Sequence, residues 1–174
     1  MKNVVYNKDN ISDKEVTDLV VRTKGLLISN GYLLLGNEDG ALQFPGGHLE
    51  ENETLEECLK REILEETGIE LTNEVINGPF LEIDYYNKDW PTKGNVRKCE
   101  IYYYAVETEK DINLSNTSYT KGEVEKHFKV DKVKLDEAID YINNNISNNE
   151  LNKVISPDMI IAIKDYLKSE WFNY

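Results

Sequence analysis

The stretch from Gly47 to Ile69, GHLEENETLEECLKREILEETGI, constrains this chain more than any other. Thr54 followed three residues later by Glu57 is the pattern of a capping box, so a helix starts there. Gly68 stands where a left-handed residue ends a helix. The spacing predicts about 13 helical residues between them, an ordinary length. At about 100° per residue, Leu55, Cys58, Leu59 and Ile63 form one apolar stripe. Glu62 and Glu66 fall within that arc and Glu65 lies at its edge, whereas Glu56, Glu57 and Lys60 point elsewhere.

That phase has a chemical consequence. Carboxylates aligned with a buried stripe lose hydration, at a cost of several kcal/mol per unpaired ion. They must be paired, protonated or bound to a cation. Arg61 is placed to reach Glu57 and Glu65, four residues away on either side, but one guanidinium does not neutralise three carboxylates. Hard oxygen donors gathered this way suit Mg2+ or Mn2+. A solvated acidic helix would explain neither the phase nor the flanking glycines.

Gly47, Glu53, Arg61, Glu62, Glu65, Glu66 and Gly68, with Ile63 and Ile69 as the aliphatic positions, follow the pattern G-x5-E-x7-R-E-U-x-E-E-x-G-U. In this the chain resembles the Nudix hydrolase family, and Phe44-Pro45-Gly46-Gly47 and Glu50 resemble that family's usual lead-in to its box. The motif spans about a seventh of the chain but is long and specific. The resemblance implies an α/β (α+β) Nudix fold: a mixed β-sheet sandwiched between α-helices, with the box as loop–helix–loop. It implies hydrolysis of a phosphoanhydride bond in a nucleoside diphosphate linked to another moiety, of nucleotide-sugar, dinucleoside polyphosphate or nucleoside triphosphate type.

By the same resemblance, Glu65 and Glu66 are metal ligands, Glu62 is a ligand or the general base, and Glu53 is a further ligand or its support. A backbone carbonyl at Gly46 or Gly47 completes the set, since glycine permits close approach. Arg61 reads as a clamp within the box. Several branches of the family take a base or extra ligand from a late loop, and Lys121–Glu125 has that look, with Glu123 and Glu125 both candidates. His48 is a candidate phosphate contact, and His127 reads as structural. Two other function classes compete: a nucleotide-binding module without turnover, which usually loses box acids, and an RNA 5′-end pyrophosphohydrolase.

Charge bears on the last of these. The 174 residues carry a net charge of −13, with an isoelectric point near 4.6, which argues against a broad nucleic-acid footprint. It also opposes small anionic substrates unless a metal and local Lys/Arg reverse the field. The two cysteines show neither zinc spacing nor a disulfide framework, which fits a reducing cytoplasm, and Cys58 reads as core. No signal-peptide region and no apolar run of membrane-spanning length is present.

Elsewhere the reading is of one domain over 1–174, with an N-terminal strand or arm over about 1–18 and a helical segment over about 134–174. Leu19–Val21 and Gly25–Ile28 read as strand, Asn30-Gly31 as a hairpin turn, Tyr32–Leu35 as its return, Asp39-Gly40 as a second turn and Ala41–Phe44 as a short strand. Residues 74–87 and 96–107 are β-rich around a loop, and 126–133 reads as strand. Leu135 to about Asn145 reads as an amphipathic helix, Asn143–Asn149 as loop or frayed end, and Ser156-Pro157 as the start of a last helix running to Glu170.

Eleven tyrosines offer stacking surfaces, with Tyr102 and Tyr104 on one face of a strand and Tyr103 on the other. Tyr85 and Tyr86 stand at the offset from the box where dinucleoside polyphosphate hydrolases of the family carry a tyrosine, whereas Pro79 is too close to the box to match the ADP-ribose branch. Trp90 is a candidate lid, and Lys93, Arg97 and Lys98 are a candidate phosphate-facing cluster. The resemblance also allows for a homodimer, with Trp171-Phe172 free to dock on the core or on a second subunit.

Overall fold

Alternation along one long strand sets the architecture. In Asp18–Ser29 (β2), Leu26 and Ile28 point to one side and Leu27 to the other, and all three are buried. A strand apolar on both faces must lie inside a sheet covered on both sides. The computed structural model describes residues 1–169, and in it β2 lies at the middle of a seven-stranded mixed sheet.

The other strands are Lys2–Tyr6 (β1), Tyr32–Glu38 (β3), Ala41–Gln43 (β4), Ile76–Lys88 (β5), Val96–Thr108 (β6) and Lys129–Lys134 (β7). Their order is β1-β5-β6-β2-β3-β4, with β7 also on β3. β2 runs parallel to β6, and β1 parallel to β5; the remaining pairs are antiparallel. Both expected tight turns form, with positive φ at Asn30 and Gly31 and again at Asp39 and Gly40. The N-terminal segment contributes β1 as an edge strand.

Helix Leu55–Thr67 (α1) covers one face. Its Leu59 and Ile63 pack with Leu27, Leu34, Tyr104 and Val106. Gly25 lets the helix approach: a Cβ there would lie 3.1 Å from both Leu59 Cδ1 and Ile63 Cδ1. Helices Ala138–Asn145 (α3) and Asn152–Leu167 (α4) cover the other face, burying Ile142, Met159, Ala162 and Ile163 against Leu26, Ile28, Phe44, Leu81 and Tyr103. Tyr103 and Tyr104 therefore serve opposite cores.

Two expectations are corrected. Lys121–Glu125 is not a loop but a short helix (α2), because Thr120 and Glu123 form a capping box of their own; the strand beyond it begins only at Lys129. Helix α4 does not open at Pro157. It begins at Asn152, whose buried side chain donates to the carbonyls of Gly40 and Asn145 and accepts from Leu42 N, each at 2.8 Å. Three tertiary hydrogen bonds at that point outweigh the local preference for proline in the first turn, and Pro157 sits in the helix interior. The Asn-rich 143–149 stretch, expected as a loop or frayed end, is the end of α3 followed by a 3-10 turn over Ile146–Asn148. Glu170 and Trp171-Phe172 lie outside the described residues.

Candidate active site

The site is built where β2, the Pro45–Leu49 loop and α1 meet. The loop is laid along β2 by three backbone hydrogen bonds: Gly25 N to Pro45 O (2.8 Å), Thr23 N to Gly47 O (3.1 Å) and Leu49 N to Val21 O (3.0 Å). Gly46 has φ +133°, and a Cβ there would lie 2.2 Å from the Thr23 carbonyl oxygen. Gly47 is needed for another reason: its Cβ would fall 2.3 Å from Glu62 Oε1, so that carboxylate lies on bare backbone.

Thr54 and Glu57 cap α1 reciprocally, and Gly68 ends it at φ +70°. Glu57 is committed to the cap and is not a partner of Arg61, as helical spacing alone suggested. Arg61 instead grips Glu53 with two nitrogens (2.8 and 3.0 Å), and reaches Glu62 (2.8 Å), Glu65 (3.2 Å) and the His48 carbonyl (3.0 Å). A planar, five-donor guanidinium suits this fan of acceptors. It holds Glu53 below the usual carboxylate range, and these partners in turn raise Arg61.

Glu66 is different. It is 4% exposed, and its Oε2 is buried with no hydrogen-bond partner. Burial pushes its carboxyl above the ordinary range, with the charge of Lys24 opposing. Burial also raises Glu62, against Arg61. Lys24 is itself buried, which lowers its pKa; its ammonium donates to Gln43 Oε1 and the Phe44 carbonyl (both 3.0 Å) and to the Gly46 carbonyl. The Gly46 carbonyl thus already accepts from Lys24, and that of Gly47 from Thr23. Burial, then Arg22, lowers His48.

Glu62, Glu65 and Glu66 face Glu123 across a cleft of about 460 Å³ that Arg22, Lys24, Gly46, Gly47 and His48 also line. Glu53 stands behind Arg61 rather than on the cleft wall. Glu123 caps α2 by accepting from Thr120 N at 2.6 Å. Glu125 is brought elsewhere: it is exposed, 3.7 Å from Lys121. An orphaned buried oxygen beside further carboxylates, with no thiolate or imidazole nitrogen required, fits a hard divalent cation.

Another acidic group lies off this site. Glu82, Asp84 and Glu100 gather on β5 and β6, with ligand oxygens within 4.8 Å of one another. Lys98 already sits among them, 2.9 Å from Glu100 and 3.4 Å from Asp84, so it is not free for phosphate. Arg97 pairs with Asp18 at 2.6 Å. Trp90 is exposed at the rim of a neighbouring hollow with Arg22, Tyr85 and Arg97, and His127 is exposed beside Asp39.

A family model described as the NUDIX domain matches residues 16–148. The chain belongs to the Nudix family. Its fold is shared by solved Nudix structures: a NUDIX hydrolase from Nitrosomonas europaea (20% identity, TM-score 0.51, 86% of this chain and 88% of that one) and a MutT protein from Bacillus halodurans (22%, 0.51, 70% and 72%). It is also similar to the E. coli dihydroneopterin triphosphate pyrophosphohydrolase (12%, 0.52, 68% and 83%). The protein is thus a Nudix hydrolase by family and fold, and α1 is the helix of its Nudix box.

Two residues at this site escaped the sequence reading. Arg22 lines the cleft with its Nε buried and unpaired, and Lys24 lies under the Gly46 loop. A signal existed: a cation within an otherwise apolar strand, V-V-R-T-K-G-L-L-I, has to be explained.

Proposed function

We propose that this Nudix hydrolase cleaves a phosphoanhydride bond in a small nucleotide derivative, with Mg2+ or Mn2+ held by Glu65 and Glu66, and with Glu62 as a further ligand or the general base. The observation that carries the reading is the buried, unpartnered Oε2 of Glu66 on the box helix. A bound divalent cation supplies Lewis-acid stabilisation of phosphoryl charge and lowers the pKa of water.

The chain's own residues do the rest. Arg61 and Glu53 hold Glu62 and Glu65 in place. Arg22, with an unused buried donor on the cleft wall, accepts the phosphate chain from the opposite side and offsets the net negative charge. Water attacks phosphorus, the anhydride P–O bond breaks, the bridging oxygen leaves on one product, and the proton of the water passes to a carboxylate. Glu62 and Glu123 are the two candidate bases on the cleft; Glu125 is set aside by its position. All box acids are present, which supports turnover over passive binding. Two free cysteines support a reducing, cytoplasmic setting, and no helix among the described residues is long and apolar enough to cross a membrane.

The test is a product-mass screen of nucleoside triphosphates, dinucleoside polyphosphates and nucleotide sugars with Mg2+ or Mn2+. Metal-dependent release of a phosphate- or pyrophosphate-bearing product supports the reading. A blank over the full panel with both metals sinks it.

A further inference from the structure

Three carboxylates share one stripe of the sheet, away from the box cleft. Glu82 and Asp84 stand two apart on β5, so their side chains leave the same face, and Asp84 lies directly opposite Glu100 on β6. Their neighbours Ile83 and Ile101 enter the core under α3 and α4, which puts the acids on the α1 side of the sheet. Like charges directly opposite each other destabilise a sheet. Lys98, one rung along and opposite Tyr86, reaches Glu100 Oε1 at 2.9 Å and Asp84 Oδ2 at 3.4 Å. Among the described residues, Lys98 alone forms ion pairs with this group, and none with Glu82. One ammonium does not neutralise three carboxylates. The Tyr102 hydroxyl donates to Glu100 Oε2 at 3.2 Å and so orients that acid. Asp84 is 5% exposed, and its Oδ1 is buried without a hydrogen-bond partner. A buried acceptor left unpaired carries a penalty that a cation would remove.

Geometry narrows the choice of ion. One oxygen from each acid lies within 4.8 Å of the other two, so a point exists no more than about 2.8 Å from all three. Ca2+ binds oxygen at about 2.3–2.6 Å and accepts irregular coordination, so small side-chain shifts bring the three onto it. Mg2+ requires about 2.0–2.1 Å and a near-ideal octahedron, which demands a larger contraction of two paired strands. We propose that Glu82, Asp84 and Glu100 form a Ca2+ site that clamps β5 to β6. Asp84 is its buried ligand, and the half-buried Glu82 and Glu100 leave an open side for water. Lys98 is the resident counter-ion: it offsets the acids without calcium and competes with calcium for them. Its ammonium lies 3.9 Å from exposed Asp13, toward which it can withdraw. None of the three acids lines the box cleft, so the site does not depend on the hydrolase reading.

The experiment is calorimetric titration of CaCl2 into the full chain in excess Mg2+, carried out in a Glu65→Gln/Glu66→Gln background so that the box does not supply the signal. One Ca2+ per chain should bind, with a dissociation constant of roughly 10⁻⁴ to 10⁻³ M. In the same background Asp84→Asn or Glu100→Gln should weaken binding at least about tenfold, and Lys98→Met, which removes the competing cation, should tighten it about tenfold. Ca2+ should also raise the melting temperature of the parent and not that of Glu100→Gln, because the ion binds only the folded sheet. If Asp84→Asn fails to fold, Glu82→Gln, at a half-buried position, carries the same test. No Ca2+ binding in the box-disabled background, binding undiminished by the β5–β6 substitutions, or weaker binding in Lys98→Met overturns the proposal.

Discussion

The two adjacent glycines of the Nudix lead-in do different jobs, and substitution should separate them. At Gly46 an added Cβ meets backbone that cannot move, in a region of φ that side chains avoid, so Gly46→Ala should unfold the loop and lower the melting temperature. At Gly47 the Cβ meets only the tip of Glu62, which can swing away. Gly47→Ala should therefore leave the melting temperature nearly unchanged while turnover falls by roughly 10²-fold, the scale of losing one charge-stabilising group. Glu66→Gln should also cost about 10²-fold or more in kcat, and in metal-free protein should keep or raise thermal stability, because a buried carboxylate with an orphaned oxygen is removed. Full metal-dependent activity in that variant would contradict its assignment.

Asp158 gives a pH signature. Burial raises its carboxyl to about 6, from an ordinary value of 3.8. A raised acid contributes stability that is complete below the unfolded value and lost as pH climbs through the folded one. The wild type should therefore lose up to about 3 kcal/mol relative to Asp158→Asn between about pH 4 and pH 7. Denaturant melts across that window test it; a constant difference between the two proteins would refute it.

Among elements, α4 shows how tertiary contacts override a local signal. Its start is pinned by Asn152, so Asn152→Ala should cost at least about 3 kcal/mol, because three buried backbone groups lose their partner. Pro157, exposed in the helix interior, has the opposite sign. Pro157→Ala restores a backbone donor and should stabilise by about 1–3 kcal/mol, read as a higher denaturation midpoint with unchanged slope. Both ends of α1 are local, each set by residues within the box, and its capping box and left-handed glycine form as its sequence implies. Helix α2 is equally local, yet its capping box at Thr120 and Glu123 reads as a loop because no apolar stripe follows it.

For the molecule as a whole, a net charge of −13 faces an anionic substrate. At long range the protein repels what its cleft is proposed to bind, and Arg22, Lys24, Arg61 and the proposed cation offset that field locally. Raising monovalent salt from about 0.01 to about 0.15 M shortens the screening length from about 30 to about 8 Å. At saturating Mg2+, kcat/KM should rise over that range, the reverse of an enzyme that steers its substrate in; a steep fall would point to a cationic capture surface instead.

The box helix, its caps, the two tight turns and the sheet strands were legible in the chain because each depends on neighbours a few residues away: hydrogen bonds to N3, positive φ at Asn-Gly and Asp-Gly, and alternation along β2. So was the family, since its motif is contiguous. What remained hidden depends on residues far apart in sequence. Arg61 takes Glu53 rather than Glu57 because a cap competes for one and a folded-back loop offers the other. Glu123 reaches the cleft and Glu125 does not because a five-residue helix points them apart. Asp158 stands beside Tyr85, 73 residues away, only once α4 has closed over the sheet. Local hydrogen bonding and periodicity write themselves into a linear string; burial, and the charge it isolates, exist only when distant segments exclude water together.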